Sequence, residues 1–210
     1  AFEQIARFLS YMPQSVWHLP PRVNSADPVD RRDESLLSVI PRARRQMYEV
    51  REVIAGIVDK DSFFEINAGY GRSLAIGLAR LDGYPVGVMA NDTKFHGGAV
   101  DAQSSEKMMR FVDLCDTFHL PVINLVDNPG FLIGIEAEEA GTVRLGSRAL
   151  MACLQATVPW VSVIIRRCYG VAGAGHGNSD GLNLRYAWPS ADWGSLPIEG
   201  GVQAAYRREI

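Results

Sequence analysis

The chain has 210 residues, 47% hydrophobic and 21% charged, which suits one folded unit with a substantial core and excludes a disordered or fibrous protein. Its net charge of −3 gives no general reason to expect nucleic acid or an anionic membrane as partner. No apolar run approaches the ~18 residues of a membrane-spanning helix, and no secretory leader pattern opens the chain.

The first element read along the chain is a short amphipathic helix with Phe2, Ile5, Phe8 and Leu9 on one face. "MPQSVWHLPPRVNSADPVDRRDES" follows, and its prolines remove backbone donors, so residues 1–40 read as an extended connector lying on the surface. Met47, Val50, Ile54, Ile57 and Val58 recur at helical spacing and predict a helix over 43–59. "PRARRQ" at its start, like "YRREI" at the chain's end, reads as solvated helix surface. The domain of residues 41–210 gains its first strand at "FFEIN".

"SLAIGLARLDGYPVGVMA" carries Asp-Gly between apolar runs and predicts an antiparallel hairpin. After "NDTKFHGGAVDAQ", Ser104 or Ser105 is placed to cap a helix burying Met108, Phe111, Val112 and Cys115. "PVINLVD" is a continuous apolar strand. A helix over 138–157 turns Leu145, Ala149, Ala152 and Cys153 inward, and "PWVSVIIRR" is the next strand. "RYAWPS" predicts one more. Continuous apolar strands alternating with helices imply an α/β fold with parallel pairing and right-handed crossovers. The ending "GGVQAAYRREI" reads as a helix cut short, and "AFEQIARFLS" as the middle of a longer protein.

Three glycine-bearing loops then fall at the strands' carboxyl ends, where open α/β sheets bind ligands: "FHGGAV", "NPGFLIG" and "YGVAGAGHG". Each precedes or opens a helix, so free backbone N–H groups there can stabilise a developing oxyanion. The familiar hydrolase, zinc-protease and phosphate-loop motifs are missing, and Cys115, Cys153 and Cys168 lack the spacing of a metal site, so no metal is expected. His176 stands inside the third loop as a conceivable general base, but no carboxylate, Ser or Cys partner follows from spacing; His96 is similar. Asp127 reads either as a ligand-orienting group or as an Asx-type cap of loop amides, the second being the more ordinary use. Trp160 and Trp188 read as core.

"FFEI", "GLARLDGYPVGVMAN", "RFVDLCDTFHLPVINLVDNPGFLIG", "ATVPWVSVIIRRCYG" and "YAWPSA", in that order, resemble the carboxyltransferase component of biotin-dependent acyl-CoA carboxylases. The likeness is to the β-chain type of propionyl-CoA carboxylase and to methylmalonyl-CoA carboxyltransferase, and spans residues 1–201. It implies a crotonase-like fold of repeated ββα units, with this chain as the carboxyl-terminal half of a longer polypeptide. It also implies biotin carried on a partner domain or subunit, an acyl-CoA substrate, and a site shared with the amino-terminal half of the other subunit in at least a dimer. A biotin carboxylase or carrier subunit is the further partner; nucleic acid and membrane are not. The setting would be the cytoplasm, or the mitochondrial matrix in a eukaryote.

The same resemblance carries the backbone N–H groups of Val171 and Ala172 over as the oxyanion hole for the biotin ureido oxygen, with Gly130, Phe131, Gly170, Gly173 and Ala174 around the biotin and substrate. In that chemistry the biotin anion removes the substrate's α-proton, so no side-chain base is needed. The chain departs from the family's Tyr-Gly-Gly-Ala…Tyr-Asp at Val171 and Ala174, and at "SLPIEGGV". Val171 adds a stiff branched side chain that disfavours positive φ. Two alternatives stand beside carboxyl transfer: a decarboxylase or transcarboxylase subunit of the same fold, and a non-catalytic scaffold half.

Overall fold

Ten of the expected helices and strands appear in a computed structural model that describes residues 1–177, 181–197, 201 and 206. The side chains of Ala172 and Ala174 fall outside that description, as do most of the helix expected at the chain's end and part of "SLPIEGGV".

The sheet is built from β1 (Phe64–Ile66), β2 (Leu74–Leu81), β3 (Tyr84–Asn91), β4 (Val122–Asn128), β5 (Trp160–Tyr169), β6 (Asn183–Ala187) and β7 (Asp192–Gly194). The first three are antiparallel; β3, β4, β5 and β6 then run parallel in sequence order. β6 pairs with the first half of β5 and β7, which the sequence did not announce, with its last three residues. Helices α3 (Ala102–Thr117) and α5 (Thr142–Gln155) cover one face, where Leu74, Ile76, Leu78 and Met89 meet Phe111, Val112 and Cys153. α2 (Val50–Ile57) covers the other, where Ala75, Ala79, Val88 and Leu125 meet Val50, Val53 and Ile54. Both faces of β2, β3 and β4 are therefore buried, which explains their unbroken apolar runs. Trp160 lies in the core as expected and Trp188 packs half-buried against the second layer.

Three expected elements differ in extent, each for a local reason. α2 begins at Val50, because the chain before it is held extended: the Gln46 carbonyl accepts from Arg166, and the Tyr48 hydroxyl donates to Asp127. Residues 41–46 are thus not helix surface. The cap of α3 is Asp101, whose carboxylate accepts from the Ser104 N–H at 2.7 Å while Ser104 Oγ accepts from the Asp101 N–H at 2.9 Å. The expected 138–157 helix is two, α4 (Ile135–Glu139) and α5, separated at Gly141 with φ +70°. Leu145 is only half-buried.

α1 (Phe2–Leu9) forms as expected, but only Phe8 packs on the domain, near Phe64; Phe2, Ile5 and Leu9 stay exposed. Residues after it are irregular and tied down by polar groups. The buried Arg80 donates to the carbonyls of Ser10, Pro21 and Gly83, and Val23 N–H also donates to Gly83. Gly83 and Asp82 both have positive φ, the mark of a type I′ hairpin turn. A Cβ on Gly83 would collide with the Val23 carbonyl oxygen. Gly83→Ala is expected to cost about 2–3 kcal/mol through left-handed strain plus this clash. Gly69→Ala, where a Cβ meets nothing, is expected to be near neutral in the same urea titration.

Lys107 on α3 is 3% exposed, and its Nζ donates to the Leu74 carbonyl at 2.7 Å. Burial is the main cause that lowers its pKa to about 8, with Arg51 adding to it and Glu65, Asp92 and Asp101 opposing. The unfolded chain, with an ordinary lysine pKa near 10.4, holds this proton over a wider range than the native state does. The wild type is therefore expected to gain stability relative to Lys107→Met as pH rises from about 8 to about 10, measured by denaturant unfolding across that window.

Candidate active site

The three glycine loops meet at the carboxyl ends of β3, β4 and β5. The N–H of Val100 donates to the Gly130 carbonyl, Arg167 Nη2 donates to the Gly97 carbonyl at 2.6 Å, and a Cβ on Gly130 would lie 3.9 Å from the Tyr169 carbonyl oxygen. What fixes them is Asp127, at the end of β4 and fully buried. Its Oδ2 accepts from Tyr48 Oη at 2.9 Å and Arg166 Nε at 2.8 Å; its Oδ1 accepts from Arg167 Nε at 2.6 Å and the Arg167 N–H at 3.2 Å. Burial, and then the neighbouring Asp127 charge, push the Tyr48 phenol well above its usual range. Asp127 is an ion-pair hub; the Asx turn beside it belongs to Asn128, whose Oδ1 accepts from the Gly130 N–H at 2.9 Å.

β5 runs directly into a single short helix, α6 (Gly170–Ala174). Gly170 makes the turn with φ +62°, a conformation costly for any residue with a Cβ. Val171 and Ala172 follow in the first turn of α6, where backbone N–H groups have no acceptor inside the helix. The Val171 side chain points outward and is 68% exposed. Gly173 is buried against β5: a Cβ there would sit 2.7 Å from the Cys168 carbonyl carbon. A Cβ on Gly175 would strike Leu150 of α5. Cys168 Sγ lies 2.8 Å from the Gly173 carbonyl, and burial raises its thiol pKa.

A cavity of about 790 Å³ opens beside this turn, lined by Gly170, Val171 and Gly173 together with Ile164, Tyr186 and Trp193. Gly130 and Phe131 do not line it. The Phe131 ring packs instead on Gly146 of α5, where a Cβ would overlap it, and its backbone bridges Val100. The backbone of Ala174 ends α6; its side chain and that of Ala172 lie outside the described residues.

His176 is buried at 3% exposure with both ring nitrogens against side-chain amides, Nδ1 2.7 Å from Asn124 Nδ2 and Nε2 3.2 Å from Asn128 Nδ2. Asn128 is oriented by its bond to Gly130, so its Nδ2 donates and His176 Nε2 accepts. The hydrogen then belongs on Nδ1, and turning the Asn124 amide over would give it the Asn124 Oδ1, which otherwise lacks a partner. His176 is a structural histidine, not a general base. His96 is half-exposed, 3.9 Å from Asp101. Among the described residues no three His, Cys, Asp or Glu side chains gather as metal ligands. The Asp127 hub escaped the sequence reading because its partners come from positions 48, 166 and 167; the apolar strands on both sides were its only signal. Asp127→Asn is expected to cost about 3–5 kcal/mol, since it strands the buried guanidinium of Arg166 and the half-buried one of Arg167. Tyr48→Phe should cost about 1 kcal/mol in the same urea titrations.

Residues 1–210 match the carboxyl transferase domain family. The chain is 36% identical over its whole length to the propionyl-CoA carboxylase carboxyltransferase subunit of Haloferax mediterranei, covering 41% of it. It is 38% identical to the methylmalonyl-CoA carboxyltransferase 12S subunit of Propionibacterium freudenreichii subsp. shermanii, covering 40%. The crystal structure of transcarboxylase 12S, a hexamer solved with methylmalonyl-CoA and methylmalonic acid bound, superposes with a TM-score of 0.92 over 99% of this chain and 40% of its own. A single-chain, multi-domain long-chain acyl-CoA carboxylase superposes at 0.82, with 33% identity, over 99% of this chain and 20% of its own. The fold is crotonase-like, the chain spans about two-fifths of the length of its curated relatives, and it belongs to the carboxyl transferase domain family.

Proposed function

We propose that this member of the carboxyl transferase domain family is the biotin-binding half of an acyl-CoA carboxyltransferase, in which the Val171 and Ala172 N–H groups form the oxyanion hole. The observation that carries this reading is the turn at Gly170, which ends β5 and leaves two consecutive first-turn N–H groups at the mouth of a 790 Å³ cavity. Residues present fit a small bicyclic ring with one polar oxygen: apolar Ile164, Val171 and Trp193 for the ring, backbone donors for the oxygen. When bound, biotin supplies the carboxyl group to be transferred. The chain's part is to hold negative charge on an oxygen with preorganised donors, worth about 3–4 kcal/mol per donor, and to exclude water with apolar walls. With His176 held against Asn124 and Asn128, no side chain among the described residues of this turn stands ready to take a proton.

Residues 1–40 serve in this reading as the connector to an amino-terminal half, and residues 41–210 as the carboxyl-terminal domain. The 40% coverage of relatives supports it, and so do the exposed Phe2, Ile5 and Leu9 of α1, which suit burial against another half or copy. Gly130 and Phe131 act here from behind, by placing the loop against Tyr169. A biotin carboxylase or carrier subunit would deliver the biotin, in the cytoplasm or mitochondrial matrix. The test uses the protein as encoded, with free biotin and either malonyl-CoA or methylmalonyl-CoA, following biotin-dependent decarboxylation. Val171→Pro removes one N–H and is expected to lower turnover about 10²- to 10³-fold with an unchanged circular dichroism spectrum. A folded wild type without biotin-dependent turnover would sink the reading and leave a scaffold half.

A further inference from the structure

The 790 Å³ cavity beside α6 holds one group that the oxyanion turn does not use. Among the described residues that line it, Arg185 of β6 is the one charged side chain. The walls around it are apolar or neutral: Ile164 and Cys168 on β5, Tyr186 and Ala187 on β6, Trp193 on β7. Arg185 stands opposite Ser162 in the β5–β6 pairing and donates from Nη2 to the His176 carbonyl at 3.1 Å.

The fold has little need of this arginine. The His176 carbonyl also accepts from Ser162 Oγ at 2.9 Å, so it is satisfied without Arg185. The rest of the guanidinium makes no hydrogen bond or ion pair with a described residue. Its charge acts on the cavity, since it opposes the rise that burial imposes on the Cys168 thiol pKa. It is also held away from the Gly170 turn. The Gly175 N–H donates to the Val171 carbonyl, and at about 1.5 Å of rise per residue His176 lies roughly 7 Å beyond Val171.

We propose that Arg185 is a specificity-determining residue that takes the oxygen at the tail of the ligand, and so favours a tail ending in a carboxylate over one ending in a neutral amide. This rests on biotin being the ligand, with its ureido oxygen at the Gly170 turn. A carboxyl group on the ring nitrogen beside that oxygen stays near the turn. The pentanoate tail extends away from it and has the reach to meet Arg185. A ligand lying over Arg185 takes water from its guanidinium, and a carboxylate compensates that loss best. In biotin joined to a carrier the tail is an amide, whose carbonyl oxygen takes the same place with a weaker bond.

The experiment is isothermal titration of the protein as encoded with biotin and with biotinamide, its uncharged primary amide, at matched ionic strength. Biotin is expected to bind about 5- to 10-fold more tightly. Arg185→Gln is expected to weaken biotin about 10-fold and biotinamide about 2-fold, which brings the two within about 2-fold of each other. Arg185→Lys keeps the charge and with it the preference for biotin, and Arg148→Gln on the exposed face of α5 leaves both ligands unchanged. Equal binding of the two ligands to the wild type, or a preference that survives Arg185→Gln, overturns this proposal and leaves the proposed function in place. Loss of both ligands alike in Arg185→Gln assigns the residue a structural part through His176 and likewise overturns it. A folded wild type that binds neither ligand overturns both.

Discussion

One carboxylate with no exposure to solvent, Asp127, holds the carboxyl edge of this sheet's parallel strands together. It closes β4, and the groups it gathers come from three other places: Tyr48 from the segment before α2, and Arg166 and Arg167 from the end of β5. Each arginine then passes the constraint on. Arg166 reaches the Gln46 carbonyl and Arg167 the Gly97 carbonyl, so the positions of the first glycine loop and of the chain leading into α2 both follow from where Asp127 stands. A charge this deep is tolerable only because its lone pairs are filled. The same geometry makes it a strong determinant of register between β4 and β5, whose pairing shifts after Val126.

The same device recurs away from this edge. Irregular backbone leaves carbonyls that no ladder satisfies, and a guanidinium, with five donors, can serve several at once. Arg80 serves three, from Ser10, Pro21 and Gly83. Arg31 serves Ala55, Gly56 and Val58 at the end of α2, and Arg7 serves Asp61 and Phe63. The long connector is therefore held without any strand pairing. It is fastened to the domain at points where arginines of one reach carbonyls of the other. Arg51 does the equivalent for carboxylates, collecting Glu49, Glu65 and Asp92, and the bond to Glu65 leads in raising its own pKa.

Elements governed by local periodicity or turn chemistry were readable in advance: the Asp82-Gly83 hairpin, the apolar strands β4 and β5, and the buried face of α3. The three glycine loops at one edge were readable too, since parallel strands send their following loops the same way. What escaped was set by distant partners. The late start of α2 depends on Arg166, 120 residues from the carbonyl it holds. β7 is three residues long and exists by pairing with the end of β5. His176 looked available in the sequence because its partners, Asn124 and Asn128, are amides 52 and 48 residues away and carry no signature of a catalytic pair.

The glycine-rich loop itself proves to be over-determined, and this bears on Val171, the position at which the resemblance leads one to expect glycine. Its glycines answer different demands. Gly170 supplies positive φ, Gly173 lets α6 press onto Cys168, and Gly175 makes room for Leu150. None of these demands falls on position 171. Val171 sits inside the helical turn, is absent from the residues with positive φ, and turns its side chain outward at 68% exposure. The branched side chain is thus spared the strain expected of it, and the N–H it carries keeps its place beside that of Ala172. Val171 thus contributes its side chain to the wall of the cavity while its backbone stays within the helical turn.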